Sequence, residues 1–196
     1  MAKKGPGLFQ LIFSLTSITL VAAIALAAMD SVTKAPIEAA RLKKKMEAIA
    51  EVLPGFDGET TEIRFMPDDG KDSVIVYMAR QDGELFGAAV ETYTDIAYSG
   101  RFTIMVGFDA NGIITGTSVL QMSETPGLGD KIDKSKNPVF SGQFVGKDPQ
   151  NFRLKVKKDG GDVDAITAAT ISSRAFCDAT ERAYKIFMKA KEISHE

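Results

Sequence analysis

Hydrophobic positions divide the chain into an unbroken apolar run, a charged helical stretch, a region of period-two alternation and a last amphipathic segment. Leu8 to Met29 holds 22 residues without a charge. At about 1.5 Å rise per residue, such a helix covers the roughly 30 Å hydrocarbon core of a bilayer. Ala35 to Leu53 follows, with Ile37, Ala40, Leu42, Ile49 and Leu53 on a loose helical stripe that Pro54-Gly55 ends. Ser73 to Arg80 and Glu84 to Tyr93 flank Asp82-Gly83, and Phe102 to Phe108 and Ile113 to Met122 flank Asn111-Gly112. Both arrangements predict β-hairpins. From Ser123 to Gly146 the chain is rich in Gly, Pro, Lys and Asp and reads mainly as loop, while Phe152 to Val156 alternates as one more strand. Ser172 to Ile193 is the clearest helix. Phe176, Ala179, Ala183, Ile186, Phe187, Ala190 and Ile193 recur at spacings of three and four, with Ser172 or Ser173 as the cap. The predicted architecture is α+β: a single N-terminal transmembrane helix, then one domain with antiparallel β-hairpins and a long C-terminal helix.

Three readings fit the apolar run: an uncleaved anchor, a signal peptide with Lys3 and Lys4 ahead of it and a cleavage motif at Ala25-Leu26-Ala27, and a buried helix of a soluble protein. Its length exceeds the usual signal-peptide core and favours the anchor over residues 8–29, with residues 1–7 as a tail and residues 30–196 as the working domain. Positive charge lies on both sides, Lys3 and Lys4 before the span and Lys34, Arg41 and Lys43 to Lys45 after it. The charge rule therefore leaves the orientation open. The Lys43–Lys45 run reads as a solvated helix face in preference to a lipid contact.

Composition narrows the chemistry. The chain is 44% hydrophobic and 26% charged, enough for a core. Lys and Arg number 24 against 26 Asp and Glu, so the chain carries no electrostatic footprint for nucleic acid. Cys177 is the only cysteine and His195 the only histidine. A disulfide within the chain and a multi-thiolate metal site are thereby excluded, and a single penultimate histidine argues against a histidine-based triad. Cys177 reads as a small buried hydrophobe, Met105 and Met122 as core strand residues and His195 as a frayed terminus. Asp68-Asp69 and the Asp159-Gly160-Gly161-Asp162 turn lack calcium-loop spacing and read as solvated turns. Redox or transfer chemistry would need a borrowed cofactor.

Two stretches are candidates to hold one. Ser123 to Lys131 contains Glu124-Thr125-Pro126-Gly127-Leu128-Gly129 directly after a strand. It is either a stiff surface loop or a place where Gly127 and Gly129 let a ligand approach the backbone. Asp164-Ala165-Ile166-Thr167-Ala168-Ala169-Thr170-Ile171-Ser172-Ser173 leads into the last helix. Its hydroxyls are either plain caps or, with the amides at the positive end of a helix dipole, a seat for an anionic phosphate.

Taken in order, the two stretches resemble the FMN-binding domain family of RnfG and its relative NqrC, subunits of membrane ion-translocating oxidoreductases. Tyr98-Ser99-Gly100, the hairpin Gly107 to Gly116, and Phe140, Gln143, Phe144 and Gly146 extend the likeness over nearly the whole chain. The total length favours RnfG. The resemblance implies an electron-relay subunit of an Rnf complex that couples ferredoxin:NAD electron transfer to Na+ or H+ translocation, with its domain on the extracytoplasmic side. It implies FMN joined through its phosphate to Thr170, with Thr167, Ala168 and Ala169 completing that motif. Asp164 and Ser172 flank it, and Glu124, Thr125, Gly127, Leu128 and Gly129 lie against the isoalloxazine ring. Ala168 stands where the family has glycine. Implied partners are the other Rnf-type membrane subunits, the lipid bilayer and, during maturation, a flavin transferase. The alternatives are an NqrC-like subunit of a sodium-pumping quinone reductase, a flavin-free scaffold, or a secreted FMN-binding module.

Overall fold

The structure, a computed structural model, describes residues 7–67 and 72–193. Lys3, Lys4, Asp68-Asp69 and His195 lie outside the described residues. The chain divides into two compact units, Met1–Lys43 and Lys44–Glu196.

The first unit holds most of helix α1, Leu8–Val52. Sequence pattern separates an apolar helix from a charged one, but the structure runs them together as a single helix of 45 residues with Pro36 inside it. Pro36 lacks the N–H that would reach the carbonyl of Val32, so a continuous helix there forgoes one rung of its ladder. Among the described residues α1 is the one helix long and apolar enough to cross a membrane, and its most apolar 18-residue window is wholly unburied.

The second unit is built on five antiparallel strands in sequential order: β1 Thr60–Phe65, β2 Val74–Gln81, β3 Glu84–Thr94, β4 Phe102–Asp109 and β5 Ile114–Gln121. The expected hairpins are β2–β3 and β4–β5. Asp82 and Gly83 both have positive φ, 55° and 85°, which matches the right-handed twist of the flanking strands. At the second turn the Asp109 carboxylate accepts the Asn111 and Ile113 amides at 2.8 Å, and Gly112 takes φ 90°. Strand β1 was not expected. None of its six residues is fully buried and three are exposed at the sheet edge, so little of its pattern marks a core.

One sheet face carries the main core. Val76, Val90, Ile104, Val106 and Phe108 project from it onto helix α3, Thr170–Ile193. Phe176, Ala179, Ala183, Ile186, Phe187 and Ala190 of the predicted stripe are buried, while Ile193 is exposed. Between Ser123 and Gly146 the chain is not only loop: a 3-10 turn at Gly129–Ile132 and short helix α2, Pro138–Gly142, interrupt it. Phe140 and Phe144 meet Phe176 of α3 at ring-centroid distances of 5.4 and 5.0 Å.

The strand expected at Phe152–Val156 does not form. The alternation there is real, since Leu154 and Val156 are buried, but the segment makes only an isolated bridge, Val156 to Val163, outside the sheet. Period two reports which side chains face the core and does not by itself supply a pairing partner.

The opposite sheet face is covered by the last turns of α1. Val52 and Leu53 pack with Tyr77, Ala79, Ala89 and Met105. Lys44 donates to the Leu120 carbonyl at 2.7 Å, and Lys45 pairs with Glu91 at 2.9 Å. Two of the three lysines therefore serve this packing. Gly107 and Gly116 sit opposite each other on β4 and β5, where a Cβ at Gly107 would run into the Val52 backbone and one at Gly116 would crowd it. Gly107→Ala is expected to destabilise the protein by about 1–3 kcal/mol, because the obstacle is main chain and cannot rotate away. A thermal melt checks this, and an unchanged midpoint would show that the helix end is not seated on these glycines.

Candidate functional site

Thr170 is the first residue of α3, two positions before the predicted start, so Ser172 and Ser173 are inside the helix and neither is its cap. Ser173 has a different task. Its hydroxyl accepts the Ile166 amide at 3.0 Å and donates to the Ala169 carbonyl at 3.0 Å, folding the preceding segment back on the first turn. The Ser173 amide also reaches Ala169. The amides before it belong to the first turn, where a helix has no internal acceptors and the dipole is positive.

The segment before Thr170 is held from the other side by Gln143. Its side chain accepts the Asp164 amide at 2.7 Å and donates to the Asp164 carbonyl at 3.1 Å. The Asp164 carboxylate pairs with Lys157 at 2.7 Å. Between these fixed points the chain turns through Ala168, whose φ is 62°. That is the left-handed region, which favours glycine and places Cβ against the following carbonyl.

The loop after β5 forms the facing wall. Pro126 and Gly127, with φ 79° at the glycine and the Leu128 amide donating to the Thr125 carbonyl at 3.1 Å, follow the pattern of a type II turn. Gly127 is therefore explained by the turn. Gly129 is explained by crowding: a Cβ there would fall on the Glu124 carboxylate and on Ser172 Oγ. Glu124 is buried at 7% exposure, and Ser172 donates to its Oε2 at 2.7 Å while the Ser99 amide donates to its Oε1 at 3.0 Å.

A cavity of about 470 Å³ lies between these walls. Glu124, Thr125, Leu128 and Gly129 line one side, and Ala168, Ala169, Thr170, Ile171 and Ser172 the other. Tyr98 stands at the rim. The structure thus brings the two sequence candidates together. Gly127 stays in its turn outside the lining, and Asp164 and Thr167 face a second cavity, of about 320 Å³, beyond the Ala168 turn. Sequence reasoning passed over Tyr98 and Ile171 as site residues, although both are large apolar groups left exposed, at 69% and 45%, beside motif residues. With Leu128 at 43% they give the cavity an apolar surface. A planar hydrophobic ring system with an anionic tail suits this combination of apolar walls, a helix N-terminus and a half-buried threonine hydroxyl.

The comparisons with known proteins agree with that chemistry. The model of the FMN-binding domain matches residues 97–185, which contain both cavity walls. The chain is 34% identical over 191 residues to RnfG of the ion-translocating oxidoreductase complex of Cereibacter sphaeroides, covering 94% of this chain and 85% of that protein. It is 37% identical over 166 residues to RnfG of Escherichia coli K12, and 36% over 165 residues to that of Salmonella typhi, each covering 80% of both chains. The chain belongs to the RnfG family of ion-translocating oxidoreductase complexes.

Other groups of this RnfG-family chain are committed elsewhere. Arg174 forks onto Asp159 at 2.6 and 2.8 Å, and Arg153 holds Asp162, so each hydrogen-bonded guanidinium keeps its carboxyl below the usual range. Cys177 is 2% exposed, and burial pushes its thiol up to about 12.

This geometry makes the turn at Ala168 and the burial of Cys177 open to measurement. An L-residue in the left-handed region costs about 1–2 kcal/mol, and glycine's extra unfolded-state freedom offsets about 0.4–1 kcal/mol of any relief. Ala168→Gly is therefore expected to raise stability by about 0.5–1 kcal/mol in a denaturant titration. A lower midpoint would mean the turn is not strained. The native protein is also expected to resist alkylation of Cys177 at about pH 8, close to the ordinary thiol pKa, with reaction appearing only on unfolding. Rapid native labelling, read by mass spectrometry, would contradict the burial.

Proposed function

We propose that this chain is the flavin-carrying electron-relay subunit of an Rnf-type membrane complex, with FMN joined through its phosphate to Thr170 Oγ1. The observation that carries this reading is the convergence of Thr170, at the N-terminus of α3, with the Glu124–Gly129 loop around one cavity. The first-turn amides and the helix dipole favour the remaining phosphodiester charge by roughly 0.3–1 kcal/mol. Leu128, Ile171 and Tyr98 would offer the ring system apolar contacts. The flavin supplies the redox chemistry by taking up and giving out electrons, so the protein needs no nucleophile or base of its own.

The rest of the reading follows the family. α1 anchors the chain across the bilayer through residues 8–29, and residues 30–196 work on the extracytoplasmic side. The complex couples ferredoxin:NAD electron transfer to translocation of Na+ or H+. This chain passes electrons between other membrane subunits and neither binds the nicotinamide nor conducts the ion. A flavin transferase makes the ester during maturation. The RnfG relatives, each covered over 80% or more of its length in the three comparisons above, favour this reading over a quinone-reductase subunit.

Co-expression with a flavin transferase is expected to give a flavin-fluorescent band on a denaturing gel that Thr170→Ala abolishes. The intact mass of membrane-extracted protein should equal the unclipped chain plus one FMN adduct. A dark wild-type band beside an active transferase, or an adduct on another peptide, would overturn covalent carriage.

A further inference from the structure

Glu124 belongs to the site, but its two oxygens are not turned to a ligand. One accepts from the Ser99 amide and the other from the Ser172 hydroxyl, and the residue is almost fully buried. Each bond leads to a different part of the cavity. Ser99 follows Tyr98 at the rim, Ser172 lies two residues after Thr170 on the first turn of α3, and Glu124 itself starts the loop that carries Leu128. Three chain segments far apart in sequence meet on one carboxylate. Gly129 closes over the pair, and no side chain fits there without displacing the Glu124–Ser172 bond. The second glycine of the loop thus makes room for this bond, whatever else approaches it.

We infer that Glu124 is a positioning residue: through Ser99 and Ser172 it fixes the spacing and tilt of the cavity walls, and thereby the orientation and solvent cover of a flavin ring tethered at Thr170. This rests on the flavin reading above. A buried carboxylate with both oxygens occupied is a stiff joint, because releasing either partner strands a polar group away from water. A tether at the phosphate leaves the ring free to swing about the ribityl chain, so its orientation must come from the walls. Glutamine conserves the joint: its oxygen accepts the Ser99 amide and its NH2 donates to Ser172 Oγ, which serves as acceptor.

The test uses the full chain co-expressed with a flavin transferase, as wild type, Glu124→Ala, Glu124→Gln and Ser172→Ala. Gel fluorescence measures loading, and iodide quenching and fluorescence anisotropy are then read per loaded flavin in the native protein. Glu124→Ala and Ser172→Ala are expected to raise the quenching constant about two-fold or more and lower the anisotropy, while Glu124→Gln stays near wild type. If Glu124→Ala fails to fold, Ser172→Ala decides, since it removes a single hydroxyl. Loaded Ser172→Ala with wild-type quenching and anisotropy overturns the inference, as does Glu124→Gln behaving like a truncation. A wild type that takes up no flavin is a separate outcome, which overturns the flavin reading and this one with it.

Discussion

A helix N-terminus can hold a fixed chemical group only if the helix itself cannot shift, and the packing of α3 against the sheet supplies that constraint. Phe176 is wholly buried between Phe102 of β4 and the Phe140–Phe144 pair, with centroid distances of 6.5, 5.4 and 5.0 Å. Further along, Phe187 stacks on Phe108 at 5.0 Å, and Asp178 accepts from Thr94 at 2.8 Å. These contacts lock both rotation and translation, because ring packing at near-crystalline density tolerates neither. The position of Thr170 is consequently a property of the core. The aromatic residues further along α3 fix where its main chain sits as much as its own neighbours do.

The segments on each side of Thr170 are tied to that frame by polar groups in buried or half-buried places. Gln143 grips Asp164 by its main chain, Ser173 grips Ile166 and Ala169, and Glu124 grips Ser172. The Phe140-x-x-Gln143-Phe144 pattern thus does two jobs within five residues. Its rings complete the core and its amide fixes the approach to the helix. Against so many ties, one left-handed alanine is tolerated, and Ala168 keeps a glycine-like conformation without being glycine.

Much of this was legible in the sequence, for reasons that differ by element. Both hairpins and the last helix were readable because their turn residues and apolar periods act locally: Asp82-Gly83 and Gly112 adopt the positive φ angles their identities suggest. β1 was missed because an edge strand such as Thr60–Phe65, half exposed and with no residue fully buried, carries a weak burial signal. Phe152–Val156 misled because alternate burial needs only a core on one side, and here that side is reached without a neighbouring strand. Both site segments were recognisable as residues, but their convergence was not, and the meanings of their glycines least of all. Gly127 answers to a turn and Gly129 to a buried hydrogen bond, distinctions that depend on contacts across 48 residues of sequence.

Covalent carriage, as proposed, also accounts for the modest character of the cavity. Its apolar contacts remain partly open to solvent: Leu128 and Ile171 keep 43% and 45% of their surface. A cavity open on one side can offer an occupant only part of the hydrophobic free energy of full enclosure, and a helix terminus adds roughly 0.3–1 kcal/mol. Association of a free ligand must first overcome about 4–15 kcal/mol of lost translational and rotational freedom. A phosphoester tether removes that requirement, so the cavity need only orient the ring while leaving its edge accessible. For a carrier of the proposed kind an open rim would be an advantage, since electrons would have to enter and leave through it. Tight non-covalent binding would demand the opposite: deeper walls, more buried ring surface and a longer path to any partner.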